Sequence, residues 1–192
     1  MNNVINNLEK PIMIEKYGVK LKQLTHEKIE MLRQYRNRIE IQQYMGYREE
    51  ITPEMQETWF QRVDNSGKDF YFIIEFDKKE IGCINIKNVN FDTKEGEPGI
   101  FIWADEFLGT DVPARASMAI GGFVWDVLKL DRLVIHVLRN NQRAITYNKQ
   151  MGYKLSLNQQ DVINQEYILT HEDSILNNRL QKLRSYFEKT SK

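Results

Sequence analysis

One segment constrains the fold more than any other part of the chain: an apolar strand followed directly by a capped helix. Residues 133–138 read Leu-Val-Ile-His-Val-Leu, a β-branched and apolar run that is typical of a buried strand. The helix after it is predicted to begin at Asn141 and to end at Gly152, just before Tyr153. A strand joined to a helix in this way predicts an α/β domain in which helices pack on a sheet.

Hydrophobic periodicity predicts the other elements in the order strand, two helices, three strands, helix, strand, helix, one or two strands, and a final helix. The predicted strands are 17–24, 70–76, 80–86, 99–103, 132–138 and 162–169. Helices are predicted from Thr25, from Thr52, after 110–113, from Asn141 and over 172–188. We therefore expect an N-terminal arm (1–14) that is loose or forms the edge of the first strand, one domain (15–170) and a C-terminal helical extension (171–192).

Composition narrows the possible partners. The 192 residues include 27 basic and 27 acidic side chains, so there is no basic excess to indicate general nucleic-acid binding. No apolar run approaches the roughly 18 residues of a membrane span, and the N-terminus lacks the pattern of a signal peptide. The single cysteine, Cys83, lies in an apolar strand and is expected to be structural. An unpaired thiol without an export signal favours a cytoplasmic setting.

The segment from Asn141 onward resembles the acyl-CoA site of the GNAT N-acetyltransferases. The matching positions are Asn141, Ala144, Ile145, Asn148, Gly152 and Tyr153. The resemblance covers the element order over about 15–170. It implies a single GNAT-like domain, with a mixed central sheet flanked by helices and an extra C-terminal helix. It also implies acetyl-CoA as co-substrate, bound in part by Asn141, Ala144 and Asn148, and no metal.

The loop expected to hold the CoA pyrophosphate departs from the family pattern. Gly109 matches the first glycine of that pattern, but Asp111 stands where a second small residue is expected. In one interpretation Arg115 supplies the positive charge and Thr110 caps the helix or contacts phosphate. In the other, Thr110 and Asp111 simply cap a core helix, with Pro113 in its first turn. Trp103, on the preceding strand, is expected to line the core or the thioester channel.

The family pattern does not identify a single acid and a single base in this sequence. Many relatives place a tyrosine seven positions after the asparagine, where this chain has Asn148 with Tyr147 one step before it. Tyr147 is either the acid that protonates the CoA thiolate or a packed aromatic, in which case water or positioning serves. A base must deprotonate the acceptor ammonium; the candidates are Asp105, Glu106, Glu97 and His136. His136, in an apolar strand, is expected to be a core residue.

Acceptor recognition is expected from the first two helices and their connection. Arg36 and Asn37, followed by Tyr44 and Tyr47, resemble a signature of two GNAT subgroups. One subgroup acetylates nucleotide-linked amino sugars, and the other acetylates the N-termini of ribosomal proteins. Arg36 is a candidate for binding a phosphate or carboxylate, and the tyrosines for stacking on a sugar or base. A solvated basic helix end with core aromatics is the structural alternative.

The predicted function is transfer of an acetyl group from acetyl-CoA to a primary amine, with a nucleotide-linked amino sugar as the leading acceptor. A protein N-terminus is the next candidate, and a polyamine or antibiotic the third. The altered phosphate loop also allows a GNAT-fold binding module without catalysis. The expected partner is a small-molecule amine, and the apolar face of the C-terminal helix could pack on its own domain or on a second copy of the chain. No nucleic acid or membrane is expected.

Overall fold

A single eight-stranded sheet forms the centre of the protein, in a computed structural model that describes residues 11–191. The strand order is β1-β2-β3-β4-β5-β6-β8-β7. The strands are β1 (Met13–Lys16), β2 (Val19–Gln23), β3 (Phe70–Phe76), β4 (Lys79–Asn90), β5 (Glu95–Ile102), β6 (Arg132–Leu138), β7 (Lys154–Leu155) and β8 (Asn164–Thr170). Neighbouring strands are antiparallel except β5 and β6, which are parallel, so the predicted mixed α/β sheet is confirmed.

Helices cover both faces of this sheet. They are α1 (Ile29–Arg36), α2 (Ile39–Gln42), α3 (Pro53–Ser66), α4 (Val112–Gly122), α5 (Gln142–Gln150), α6 (His171–Leu176) and α7 (Asn178–Thr190). One apolar core joins α4 and the C-terminal Phe187 to one face of the sheet, while α1 packs against the other. Within the described residues, no helix is long and apolar enough to cross a bilayer.

The split between β5 and β6 is the feature that positions the site. The two strands pair only at their start, where Glu95 faces Arg132 and Gly96 faces Leu133. Beyond these two positions no further pairing joins them, although β5 continues to Ile102 and β6 to Leu138. Because neighbouring parallel strands normally stay hydrogen-bonded along their length, the missing pairs leave a cleft in the middle of the sheet.

The N-terminal part of the domain differs from the prediction. Residues 1–10 of the expected arm lie outside the described residues, but Met13–Lys16 form a separate strand, β1, instead of a loose segment or the edge of the first predicted strand. The predicted strand 17–24 is shorter because Tyr17 and Gly18, with φ of 55° and 76°, make the tight turn between β1 and β2. Two consecutive positive φ values suit the right-handed twist of a two-residue hairpin.

The hairpin between β4 and β5 is longer than predicted. We predicted strands over 80–86 and 99–103, but β4 extends to Asn90 and β5 already begins at Glu95. The side-chain oxygen of Asn90 accepts hydrogen bonds from the backbone N–H groups of Asp92 and Thr93, which closes the turn locally. The polar residues on either side of the turn can therefore pair as strands, because the Asn90 side chain accepts hydrogen bonds from the N–H groups within the turn.

The C-terminal segment forms two helices where the apolar periodicity predicts one. The chain breaks at Asn177, which has an extended ψ of 107° and accepts hydrogen bonds from the N–H groups of Arg179 and Leu180. Leu180 and Phe187 on α7 are 4% and 0% exposed. This face of the helix packs on the chain's own core.

Candidate active site

The cleft opened by the β5–β6 split runs through the sheet and has a volume of about 1990 Å³. On one side α4 and α5 line it, and we call this the cofactor side. On the other side α1, α3 and the segment between α2 and α3 line it, and we call this the acceptor side. A cleft open on two faces allows two ligands to meet at its centre.

The helix α5 begins as its sequence predicts. The Oδ1 atom of Asn141 accepts a hydrogen bond from Ala144 N–H at 3.1 Å, which makes Asn141 the N-cap. One turn later Asn148 Nδ2 donates to the Ala144 carbonyl at 2.9 Å. Gly152 follows the helix with a φ of 91°, a conformation that favours glycine. Asn141, Ala144 and Asn148 all line the cofactor side of the cleft.

The loop before α4 is built around Gly109 and Thr110. Gly109 has a φ of 85° and no atom lies within 4 Å of where its Cβ would be, so the backbone is open to an approaching group. The Thr110 hydroxyl donates to the Phe107 carbonyl at 2.8 Å and accepts from Val112 N–H at 3.3 Å. Thr110, and not Asp111, therefore satisfies an N–H group at the start of α4, because Asp111 makes no side-chain cap.

Arg115 holds a buried hydrogen-bond cluster that we call the Arg115 clamp. Its Nε and Nη2 donate to Asp111 Oδ2 at 3.0 and 2.8 Å, and Nη1 donates to the Tyr17 carbonyl at 3.0 Å. The remaining two bonds go to Ser191 Oγ and Thr190 Oγ1 at 3.1 and 2.9 Å. A guanidinium has five N–H donors, so each donor of Arg115 has a protein acceptor.

The clamp changes the expected role of Arg115. Its guanidinium has no donor left for a phosphate, and its side chain is only 9% exposed. The i,i+4 pair with Asp111 instead neutralises the carboxylate that would repel a pyrophosphate. Gly109 and the positive N-terminal end of α4 therefore leave a place that an anionic group can approach, while Arg115 pairs with the Asp111 carboxylate.

Tyr147 faces the cofactor side and pairs with a hydroxyl on α4. Its hydroxyl oxygen lies 2.7 Å from Ser117 Oγ and donates to the Pro113 carbonyl at 2.9 Å. Burial raises the pKa of the Tyr147 phenol to about 12, so it carries its proton at neutral pH. Ser117 could not be predicted as a site residue, because a serine inside a helix has no distinguishing pattern.

The candidate bases differ in their position relative to the cleft. Glu106 is exposed, lies 3.6 Å from Lys79 Nζ, and does not line the cleft, whereas Asp105 is exposed at its rim. Glu97 lies on the acceptor side, with Lys87 Nζ at 2.9 Å. The interpretation of His136 as a core residue is wrong, because its side chain is 43% exposed. Alternation along β6 turns it away from the core.

Trp103 belongs to the acceptor side. Its ring stacks on Tyr35 of α1 at a centroid distance of 4.4 Å and an angle of 5°, and its Nε1 donates to the Glu80 carbonyl at 2.8 Å. Only 4% of Trp103 is exposed. The residue joins α1 to the end of β5, so packing of the site is its observed role, in keeping with the expectation of a core residue.

The predicted acceptor-binding residues lie together on the acceptor side. Tyr44 and Tyr47 are 51% and 47% exposed and line the cleft. Asn37 exchanges two hydrogen bonds of 2.9 Å with the backbone of Ile51, which fixes the segment that carries both tyrosines. Asn37 therefore holds this segment in place, because its amide is occupied by the backbone.

Arg36 is one of the charged residues that line the acceptor side. It donates to the Tyr47 carbonyl at 3.0 Å, and among residues 11–191 no carboxylate lies within 4 Å of its guanidinium. Desolvation by burial lowers the pKa of Arg36, with an opposing effect from nearby Tyr71. A cation held away from water without a counterion marks a place where an anionic group would bind.

The split sheet, the glycine loop before α4 and the asparagine-capped α5 together define an acyl-CoA-binding fold. A family model described as "Acetyltransferase (GNAT) domain" matches residues 19–154. The chain therefore belongs to the GNAT acetyltransferase family, whose acetyl donor and co-substrate is acetyl-CoA.

Solved structures show the same fold at low sequence identity. A protein described as a nucleotide-linked sugar GNAT, FdhC, has a TM-score of 0.73 and 18% identity, covering 90% of this chain and 97% of its own. RimJ of Mycobacterium smegmatis, solved with CoA-disulfide, has a TM-score of 0.73 and 14% identity, with coverage of 92% and 95%. Spermidine N-acetyltransferase of Vibrio cholerae, solved with CoA and spermine, has a TM-score of 0.72 and 17% identity, covering 82% of this chain and 98% of its own. The curated protein sequences gave no significant match.

Proposed function

We propose that this protein acetylates a primary amine on an acceptor that carries a phosphate or other anionic group, with a nucleotide-linked amino sugar as the leading candidate. The observation that carries the proposal is Arg36, a partly desolvated cation without a carboxylate partner in the described part of the chain. Arginines 38, 48 and 62 line the same cleft, as do the carboxylates of Glu40, Asp69 and Glu97, and Arg38 lies 3.9 Å from Glu40. Arg36, which has no such partner among the described residues, favours an anionic acceptor over a polyamine.

The exposed aromatic rings beside Arg36 support the nucleotide. Tyr44 and Tyr47 stand at the mouth of the acceptor side, and each could stack on a base or sugar face. The similarity to FdhC, described as a nucleotide-linked sugar GNAT, is consistent with this class of acceptor. RimJ has an equal TM-score, so a protein N-terminus is the second candidate acceptor.

The proposed reaction is direct transfer between the two sides of the cleft. The neutral amine attacks the thioester carbonyl carbon, a C–N bond forms, and the C–S bond breaks as the CoA thiolate leaves. The amine loses one proton to Glu97 or water on the acceptor side. Tyr147 supplies a proton to the thiolate and is itself reprotonated from solvent through Ser117. We infer these roles from the placement of each hydroxyl and carboxylate along the cleft.

The proposal is tested by measuring CoA release with four acceptors at equal concentration. These are a uridine-diphosphate-linked 4-amino sugar, spermidine, a peptide with a free N-terminus, and ethylamine. We expect the nucleotide-linked amine to give the highest kcat/KM. Highest turnover of spermidine or the peptide would overturn the choice of acceptor, and no turnover of any amine would favour the non-catalytic binding module.

Substitution of Arg36 with alanine should raise the KM for the nucleotide-linked amine about 10- to 100-fold, because one charge-assisted contact contributes about 1.5–3 kcal/mol. The kcat should change little, since the anion lies away from the reacting carbon. Ethylamine serves as the control substrate, as it has no anionic group. An equal loss of kcat/KM with ethylamine would show that Arg36 supports the fold of the cleft instead of binding the acceptor.

A further inference from the structure

A polar row crosses three strands on the floor of the acceptor side. Tyr71 on β3 faces Asn85 on β4, and Asn85 faces Gly99 on β5. The next row toward one end is apolar, with Ile73, Cys83 and Phe101. Gly99 lies three residues beyond Gly96, the last position at which β5 pairs with β6. The polar row therefore lies beside the beginning of the split.

Asn85 is the buried member of this row that lacks a partner. The residue is 8% exposed and lines the cleft, and within residues 11–191 its Oδ1 atom accepts no hydrogen bond. A buried acceptor without a donor destabilises the folded state, because it loses its hydrogen bonds to water and gains none. Asn85 also lines the cleft, so a turn of its amide about χ2 would present this oxygen to a donor on a ligand.

The absence of a side chain at Gly99 leaves space for the Asn85 amide. A Cβ at position 99 would lie 3.1 Å from Asn85 Nδ2 and 3.2 Å from its Oδ1, closer than side chains normally pack. The glycine thus leaves a shallow cradle on β5 in which the amide lies beside the strand. An interior glycine weakens a strand, and a close approach is the usual reason for one.

We propose that Asn85 binds the attacking amine of the acceptor through its Oδ1 atom, in the cradle provided by Gly99. This inference rests on the proposed acetyl transfer and adds a substrate-binding residue to it. A neutral primary amine has two N–H donors and one lone pair. When one N–H donates to Oδ1, the nitrogen is held at the start of the split, where its lone pair can turn toward the cofactor side.

The amide oxygen is suited to this task because it does not change its charge. It accepts a hydrogen bond from the ammonium form and from the neutral amine alike, so the acceptor stays in place while its proton leaves. Asn85 takes no proton itself, and the released proton goes to Glu97 or water. The residue therefore contributes by positioning the nucleophile, which a catalyst of bimolecular transfer requires.

The test replaces Asn85 with leucine, which has a similar volume and no polar atom. With saturating acetyl-CoA and ethylamine as the acceptor, we expect kcat/KM for the amine to fall about 10- to 100-fold. The Kd for acetyl-CoA should stay within about twofold. The melting temperature should rise by about 3 °C, because the unpaired buried acceptor is gone. Asn65→Leu, at an exposed end of α3, is the matched control and should leave all three quantities unchanged.

Gly99→Ala provides a second variant that keeps the amide. Its Cβ should displace Asn85 and lower the same kcat/KM without loss of folding, since the glycine has no positive φ to conserve. Unchanged turnover of ethylamine in Asn85→Leu, or a lower melting temperature, would overturn the proposal. If the wild-type protein acetylates no amine, the proposed function fails, and the sign of the melting shift still decides whether the Asn85 acceptor is unpaired.

Discussion

Replacement of Tyr147 with phenylalanine should lower kcat about 100-fold while the Kd for acetyl-CoA stays within about twofold. The expectation follows from the proposed general acid, since positioned proton transfer contributes at least about that factor. The phenol lies between α4 and α5, 2.7 Å from Ser117 Oγ, and lines the cofactor side of the cleft. A direct measurement is the steady-state rate of CoA release, with calorimetric titration for the affinity.

The pH dependence provides a second measurement of the same role. Burial raises the pKa of Tyr147 to about 12, above its ordinary value of 10.0, so the group stays protonated across the usable range. We therefore expect no loss of kcat from deprotonation of this acid below about pH 11. The same shift makes the stability of the fold depend on pH. Between pH 10 and 12 the unfolded chain loses the Tyr147 proton and the folded protein keeps it, so the free energy of unfolding should decrease as the pH rises.

Tyr167→Phe is the matched control for this substitution. Tyr167 is 1% exposed on β8, and its hydroxyl donates to Gln165 Oε1 at 3.1 Å. The control removes the same chemical group with one hydrogen bond but at a distance from the cleft, so kcat should remain at the wild-type value. A Tyr147→Phe protein with full kcat would show that water, or positioning alone, supports departure of the thiolate.

Replacement of Arg115 with alanine should lower the melting temperature by about 10 °C and weaken acetyl-CoA binding about tenfold. Loss of the clamp removes five donors, leaves the Tyr17 carbonyl without this partner, and costs about 2–4 kcal/mol. The affinity should fall because the freed carboxylate of Asp111 then repels the pyrophosphate. Thermal melting and calorimetric titration measure the two effects separately.

Two further variants separate the clamp from a direct phosphate contact. Asp111→Asn removes the repelling charge, so it should bind acetyl-CoA as well as the wild type does, although it melts at a lower temperature. Arg179→Ala removes an exposed arginine of α7 and should change neither quantity. If Arg115→Ala loses affinity without any fall in melting temperature, Arg115 is a phosphate ligand and the clamp is not its main role.

Most of the fold could be predicted because its signals are local. The strand 133–138 and the helix between Asn141 and Gly152 have their own caps and periodicity, and both form where expected. The hairpin turn at Tyr17 could not be predicted from residue type, since a non-glycine residue there adopts a φ of 55°. Its conformation is supported by a contact from Arg115, 98 positions away in sequence.

The candidate site was only partly predictable for the same physical reason. The i,i+4 spacing of Asp111 and Arg115 was visible in the sequence and could have indicated their pairing. Asn85 and Gly99 become neighbours only through the register of β4 and β5, which residue patterns do not determine. Residues that face each other across strands, unlike caps, have no signature within a short window of sequence.

The Arg115 clamp also has a consequence for how the protein folds. It joins the first hairpin, the start of α4 and the last turn of α7 through contacts between residues 75, 76 and 98 positions apart. Closing loops of this length is slow compared with forming a helix or a hairpin. We therefore expect the local pair of Asp111 and Arg115 to form early in folding, and the bonds from Arg115 to Tyr17, Thr190 and Ser191 to form late.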